Sequence, residues 1–173
     1  MGLLGTKTIL NALSENGYAD AAYKIASQET YPSWGWWIVN GATTLYENWN
    51  IDAARDISLN HIMFGEVSAW MYKALGGIKP DPQFPGFKNV LIEPHFVQGL
   101  NRFSASHNSP YGTITSSWQR TGKRIVYTLS IPPNAAATLH INVPKNQRLF
   151  QNGKLVRGHI NKVDAGFYTY EIK

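Results

Sequence analysis

Trp70-Met71-Tyr72-Lys73-Ala74-Leu75-Gly76-Gly77-Ile78-Lys79-Pro80-Asp81-Pro82 is the stretch in which the chain changes its period. Before it, Ile62, Met63, Phe64, Val67, Trp70, Met71 and Leu75 recur at helical spacing, which predicts a long helix from about Ser58 to Leu75. Gly76-Gly77 supplies the stop, because glycine takes the left-handed conformation that ends a helix. After it, proline-rich turns separate segments of period two, such as Thr113-Ile114-Thr115-Ser116-Ser117-Trp118 and Ile125-Val126-Tyr127-Thr128-Leu129-Ser130-Ile131. The chain therefore reads as α followed by β, with domains at 1–78 and 79–173.

Working toward the N-terminus, the spacing predicts helices over 6–16, with Ile9, Leu10 and Leu13 inward, and over 18–28, with Tyr18, Ala22 and Ile25 on one face. Asn16-Gly17 stops the first, so the two form an antiparallel αα-hairpin. Pro32, Gly35 and Gly41 punctuate 29–41, and a short helix is expected over Thr43–Trp49. Apolar residues around much of the helical circumference ask for partners that so short a segment does not supply. The α-half thus reads as part of a larger helical body, and its exposed helix faces offer a surface for homodimerisation.

Toward the C-terminus, strands are expected over 89–94, 99–106, 113–118, 125–131, 136–143, 147–150 and 167–172, with Arg120-Thr121-Gly122-Lys123 as a hairpin link. Regular short strands of this kind predict an antiparallel β-sandwich.

The 173 residues are 43% hydrophobic and include six Trp and no Cys. Disulfide scaffolds, thiolate nucleophiles and Cys-ligated metals are excluded. No stretch approaches the roughly 20 apolar residues of a membrane span, and the first residues lack the pattern of a secretory signal, so the chain reads as soluble, without an address, and its compartment stays unknown. The formal charge of +5 hides an asymmetry: residues 1–78 hold four Lys/Arg against seven Asp/Glu, residues 79–173 twelve against four. The basic residues stand singly between strand-like segments, which argues against nucleic acid as a partner.

The densest constellation is Tyr31-Pro-Ser-Trp-Gly-Trp-Trp-Ile-Val-Asn-Gly-Ala-Thr-Thr-Leu-Tyr-Glu-Asn-Trp49, where rings, small residues and one carboxylate share a short stretch. Sugar rings stack their C–H faces on aromatic faces while carboxylates and amides bond hydroxyls, so the composition suits a carbohydrate pocket; taken singly, each Trp reads as core. Glu47, placed at the C-terminal end of the expected short helix, opposes the macrodipole there. It reads either as a base that activates water or as a solvated or Arg55-paired carboxylate. Asp52, Arg55 and Asp56 read as capping or loop residues. Asn60-His61 opens the long helix, where the imidazole reads as structural or as a donor to a sugar hydroxyl. Glu66 reads as a surface residue or one supporting the pocket. His95, His107, His140 and His159 are scattered without metal-ligand spacing, and no nucleophile elbow, phosphate loop or metalloprotease motif occurs. No metal or organic cofactor is called for.

Several stretches together resemble the C-terminal portion of bacterial α-L-rhamnosidases, inverting glycoside hydrolases with an (α/α)6 barrel followed by a β-sandwich. They are Leu3-Leu4-Gly5-Thr6, Leu13-Ser14-Glu15-Asn16-Gly17-Tyr18-Ala19-Asp20-Ala21-Ala22-Tyr23, Tyr31-Pro32-Ser33-Trp34-Gly35, Gly41-Ala42-Thr43-Thr44-Leu45-Tyr46-Glu47-Asn48-Trp49 and Asn60-His61-Ile62-Met63-Phe64-Gly65. Gly76-Gly77-Ile78 through Ile92-Glu93-Pro94 is similar to the start of the family's sandwich. The resemblance implies that Glu47 is the general base and that His61 contacts bound rhamnose, with Trp34, Trp36, Tyr46, Trp49 and Asn60 as further substrate-binding residues. Tyr46 departs from the usual Trp but keeps a ring. The partner implied is a rhamnose-containing glycoside, and the general acid is implied on earlier barrel helices, before Met1, so this chain alone is expected to show no turnover. A non-catalytic sugar-binding module and a structural, dimerising module are the alternatives.

Overall fold

The computed structural model describes residues 2–51, 58–157 and 160–173. By contacts the chain divides into two compact units, Met1–Met71 and Tyr72–Lys173, the division falling between Met71 and Tyr72, earlier than the residue 78/79 boundary drawn on the sequence.

The first unit opens with helix α1 (Leu3–Glu15). Its buried stripe is Thr6, Leu10 and Ser14, four residues apart and hence on one face. Ile9 and Leu13, expected inward with Leu10, are half-buried. Thr6 Oγ1 donates to the Gly2 carbonyl (2.8 Å), and Ser14 Oγ accepts from the Trp70 indole N–H (2.8 Å), so both hydroxyls are satisfied inside. Gly17, at φ +84°, ends α1 as expected: its N–H and that of Tyr18 return to the carbonyls of Ser14 and Leu13. Helix α2 (Ala19–Ser27) packs back on α1 through Ala19, Ala22 and Ala26. Small side chains make the contact, and Tyr18 and Ile25, expected on that face, are exposed and half-buried.

Helix α3 (Trp34–Val39) was not anticipated within 29–41. Ser33 caps it, its hydroxyl accepting from Trp36 N–H. The glycine at 35 permits the entry, since a Cβ there would sit 2.3 Å from the Gln28 carbonyl oxygen. The helix expected over Thr43–Trp49 does not form; residues 42–50 are irregular. Its composition explains this. Two β-branched Thr and two Asn disfavour a helix, and Asn48 Oδ1 instead accepts from the Asn50 amide (3.3 Å). The long helix is also shorter than expected: Ser58–His61 is not helical, a 3₁₀ turn covers Ile62–Phe64, and α4 (Glu66–Trp70) runs on as a π-helical turn, Met71–Leu75.

Among the described residues of the second unit, ten strands build two sheets. Strands β1 (Ile78–Pro80), β2 (Asn89–Ile92), β6 (Ala136–His140) and β9 (Ile160–Val163) form one, in the order β1-β2-β6-β9. The other, in the order β3-β4-β5-β10-β7-β8, contains β3 (Arg102–Ser109), β4 (Gly112–Thr121), β5 (Arg124–Ile131), β7 (Leu149–Gln151), β8 (Lys154–Leu155) and β10 (Gly166–Ile172). All pairings are antiparallel except β2 with β6. That exception has a topological cause. The β3–β5 meander leaves for the other sheet, and the chain returns beside β2 in the same direction. Strands β1, β8 and β9, of two to four residues, were not expected from the sequence, whereas the equally short β2 and β7 fall inside longer segments that were.

Alternate residues of both sheets meet in one core that includes Ile92, Ile114, Trp118, Tyr127, Leu129, Leu139, Tyr170 and Ile172. The same core receives the end of the π-turn. The carbonyls of Ala74, Leu75, Gly76 and Gly77 accept from His95 N–H (2.9 Å), the Trp118 indole (3.0 Å), Ser116 Oγ (2.6 Å) and Glu93 N–H (2.9 Å). Groups that a helix end leaves orphaned are thus satisfied by the sandwich. Gly77 is required there: its φ is +69°, and a Cβ would lie 2.2 Å from Pro94 N.

Candidate active site

The aromatic constellation folds into a cluster rather than an open stack. Trp37 lies 4.7 Å from Trp49, 5.2 Å from Phe64 and 5.6 Å from Tyr46, centroid to centroid. Trp49 also meets Phe64 at 4.3 Å and Trp34 edge-on at 5.3 Å. Trp34 and Trp37 are buried, their indole N–H groups donating to the carbonyls of Phe64 (2.9 Å) and Trp49 (3.1 Å). Tyr46 and Trp49 are half-buried. Trp36 stands apart from this cluster, half-buried with its ring 6.0 Å from Tyr31. Trp37 and Phe64, central here, are not among the candidate residues the sequence points to; the helical spacing of Trp34 and Trp37 at i, i+3 is the signal it offers.

The cluster supports a loop pair. Residues 44–47 lie against 58–61: Glu47 N–H donates to the Ser58 carbonyl (3.0 Å), and His61 N–H to the Leu45 carbonyl (2.7 Å). Thr44 Oγ1 donates to the Leu59 carbonyl. Ser58 N–H donates to Glu47 Oε2 (3.0 Å). Glu47 therefore does not sit at the end of the expected 43–49 helix; a backbone amide holds its carboxylate instead. Asp52, Arg55 and Asp56 lie outside the described residues.

His61 caps the 3₁₀ turn, Nδ1 accepting from Met63 N–H (3.2 Å). An accepting Nδ1 leaves Nε2 to carry the proton, so the imidazole offers a donor on its other edge. Asn60 is exposed, and its backbone is tied to the Ser58 hydroxyl, which accepts from Asn60 N–H (3.2 Å) and donates to the Asn60 carbonyl (3.0 Å). Glu66 accepts from Asn11 Nδ2 (2.8 Å), a tie between α4 and α1. A separate cavity of about 480 Å³ opens beside α3, lined by Trp34, Trp37, Ile38, Leu45, Val67 and Met71 among others, without Glu47 or His61. Among the described residues, no group of three or more His, Asp or Glu could hold a metal ion, and no helix is long and apolar enough to cross a membrane. Of the remaining histidines, His140 Nδ1 meets Glu93 (2.9 Å) and the His107 ring packs tilted against Phe87 at 4.1 Å; His159 lies outside the described residues.

Comparison with known proteins places both halves of this architecture. Residues 1–75 match the bacterial α-L-rhamnosidase 6-hairpin glycosidase domain, and residues 77–155 the bacterial α-L-rhamnosidase C-terminal domain. The chain belongs to the α-L-rhamnosidase family. Among its rhamnosidase relatives, proteins from Formosa agariphila and Streptomyces avermitilis are each 33% identical over 99% of this chain, which spans 20% and 18% of their lengths. The solved α-L-rhamnosidase from Dictyoglumus thermophilum superposes with a TM-score of 0.88 at 31% identity, covering 99% of this chain and 21% of that one. The S. avermitilis enzyme, solved with L-rhamnose, gives 0.86 at 31% identity, covering 99% and 18%. The chain thus spans about a fifth of the length of these rhamnosidases. The matched part consists of a few helices of the 6-hairpin glycosidase domain followed by an antiparallel-rich β-sandwich.

Proposed function

We propose that this chain contributes half of an α-L-rhamnosidase active site, in which Glu47 is the general base for release of a terminal α-L-rhamnose with inversion. The observation that carries this reading is the Glu47 carboxylate, held at one oxygen by the Ser58 amide (3.0 Å), on the loop whose Tyr46 and Trp49 rings pack against Trp37. Inversion needs two carboxyls about 6.5–9.5 Å apart, one protonating the leaving oxygen and the other drawing a proton from water on the opposite ring face. Glu47 fills the second role. The acid comes from an earlier barrel helix, as the resemblance implies. His61 directs its Nε2–H, and Asn60 its amide, to rhamnose hydroxyls, while the half-buried Tyr46 and Trp49 furnish the aromatic surroundings, the buried Trp34 backs them, and Trp36 meets the substrate from outside the cluster. The substrate is a rhamnose-containing glycoside, and paired carboxylates need no cofactor.

The test is hydrolysis of an aryl α-L-rhamnoside by the chain alone and mixed with the preceding barrel segment of a relative. Turnover in the mixture only, lost with Glu47→Gln, with β-L-rhamnose as the first product seen by NMR, is the expected result. Turnover by the chain alone would mean that its own carboxylates include the acid. A second reading, self-association through helical faces, is favoured by the exposed apolar residues Leu4 (83%), Ile38 (71%) and Ile62 (83%). Sedimentation at falling concentration decides it.

A further inference from the structure

A carboxylate on an irregular loop has free side-chain torsions, and a general base works only when its reacting oxygen is held toward the water it activates. For Glu47 the described residues supply one restraint, the Ser58 N–H on Oε2 (3.0 Å). Among them no donor meets Oε1. Among the described residues one oxygen is thus oriented, and the other is the one that takes the proton. The direction of the Ser58 amide is fixed in turn by Ser58's own hydroxyl, which accepts from Asn60 N–H (3.2 Å) and donates to the Asn60 carbonyl (3.0 Å), closing a small turn over 58–60. Thr44 Oγ1 ties the middle of that turn through the Leu59 carbonyl, and Glu47 N–H returns to the Ser58 carbonyl (3.0 Å). The two hydroxyls make a clasp around the carboxylate's backbone donor.

We propose that Ser58 and Thr44 are positioning residues for Glu47: through the turn 58–60 they aim the Ser58 amide at Oε2 and so present Oε1 to water. The same clasp, through His61 N–H on the Leu45 carbonyl (2.7 Å), holds His61 in register with Glu47. This inference rests on the reading of Glu47 as the base, and its test is chosen to be independent of turnover. In the isotopically labelled chain, the Ser58 amide proton resonance is compared by NMR with that of Glu47→Gln; it is expected to lie downfield where the amide donates to the carboxylate and to move upfield in the variant. Ser58→Ala and Thr44→Val keep every backbone donor, yet each is expected to raise hydrogen exchange of the Ser58 amide about tenfold, the equivalent of one hydrogen bond. Ser58→Thr is expected to restore protection. A Ser58 amide resonance unchanged in Glu47→Gln, or exchange unchanged in both hydroxyl variants, overturns the clasp and leaves the base assignment standing. An intact clasp together with full turnover by Glu47→Gln in the reassembled barrel overturns the base assignment instead.

Discussion

Replacing Ser116 by alanine removes one oxygen from the sandwich and leaves two buried groups without partners. Ser116 is fully buried, and its hydroxyl donates to the Gly76 carbonyl at 2.6 Å. It has one hydrogen, so in the 3.1 Å contact with Tyr127 the phenol must be the donor. Burial pushes the Tyr127 phenol above its ordinary pKa, with the Ser116 hydrogen bond opposing, so it stays neutral and keeps that proton. Ser116→Ala orphans the Gly76 carbonyl and the Tyr127 hydroxyl at once, each at about 1–3 kcal/mol, or about 2–4 kcal/mol together after relaxation. Tyr127→Phe removes only the phenol oxygen, keeps the Ser116–Gly76 bond and costs about 1 kcal/mol. In the double variant no orphan phenol remains, so its cost falls below the sum of the singles, with a coupling of about 1 kcal/mol. For a unit of this size about 1 kcal/mol corresponds to roughly 5 °C, so Ser116→Ala lowers the sandwich Tm by about 10–20 °C. Calorimetry gives that shift, and hydrogen exchange at the Tyr127 and Leu129 amides of β5 reports the opening of this unit alone. A Ser116→Ala loss under about 0.5 kcal/mol, or strictly additive singles, would refute the reasoning.

Other variants probe separate features. Gly77→Ala is expected to cost more than about 3 kcal/mol, because a Cβ would lie 2.2 Å from Pro94 N at φ +69°; Gly153→Ala, at φ +78° with nothing within 4 Å, is expected to cost about 1 kcal/mol, both by urea unfolding. Burial alone would raise the Glu93 carboxyl, but the Lys79 ammonium at 2.7 Å and His140 hold it below the ordinary carboxylate value. Its contribution is therefore complete above the unfolded carboxylate pKa of about 4.3 and is lost as pH falls through the lower folded value; Lys79→Met is expected to erase that part of the acid limb, so the two stability curves converge at low pH. Trp70→Phe removes the indole donor to Ser14 at a fully buried position and is expected to cost the helical unit about 1–2 kcal/mol, seen as earlier thermal loss of helical circular dichroism.

The change of period at Leu75–Ile78 separated helices from strands without ambiguity, and the long strands β4 and β5 follow their alternation residue by residue. Gly17 marked the end of α1 because its signal is local. Elements set by tertiary partners were not legible. Helix α3 has six residues, too few for a periodic pattern, and depends on the Ser33 cap. The 43–49 segment carries apolar and aromatic residues that suggested a helix, yet Glu47 is positioned by Ser58, eleven positions away. The residue types of the candidate site could be read; the clasp that orders them could not, since no spacing rule links Thr44 to Leu59 or Ser58 to Glu47. Likewise an all-antiparallel sandwich was the natural reading of short even strands, and only the return of the chain beside β2 reveals a parallel pair.

That parallel pair sets an order of assembly. Val90 pairs with Ala137, and everything between them, the β3–β5 meander included, must be synthesised before β2 finds its neighbour. Local hairpins β3–β4 and β4–β5 can zip as soon as they emerge, whereas closing β2 on β6 demands a long chain loop and gains contacts only at the end. A growing chain therefore holds β2 as an open strand edge for most of the synthesis of this unit, with β1 its only early neighbour. An ageing ribosome-bound intermediate would be most exposed to mispairing at Val90 and Ile92.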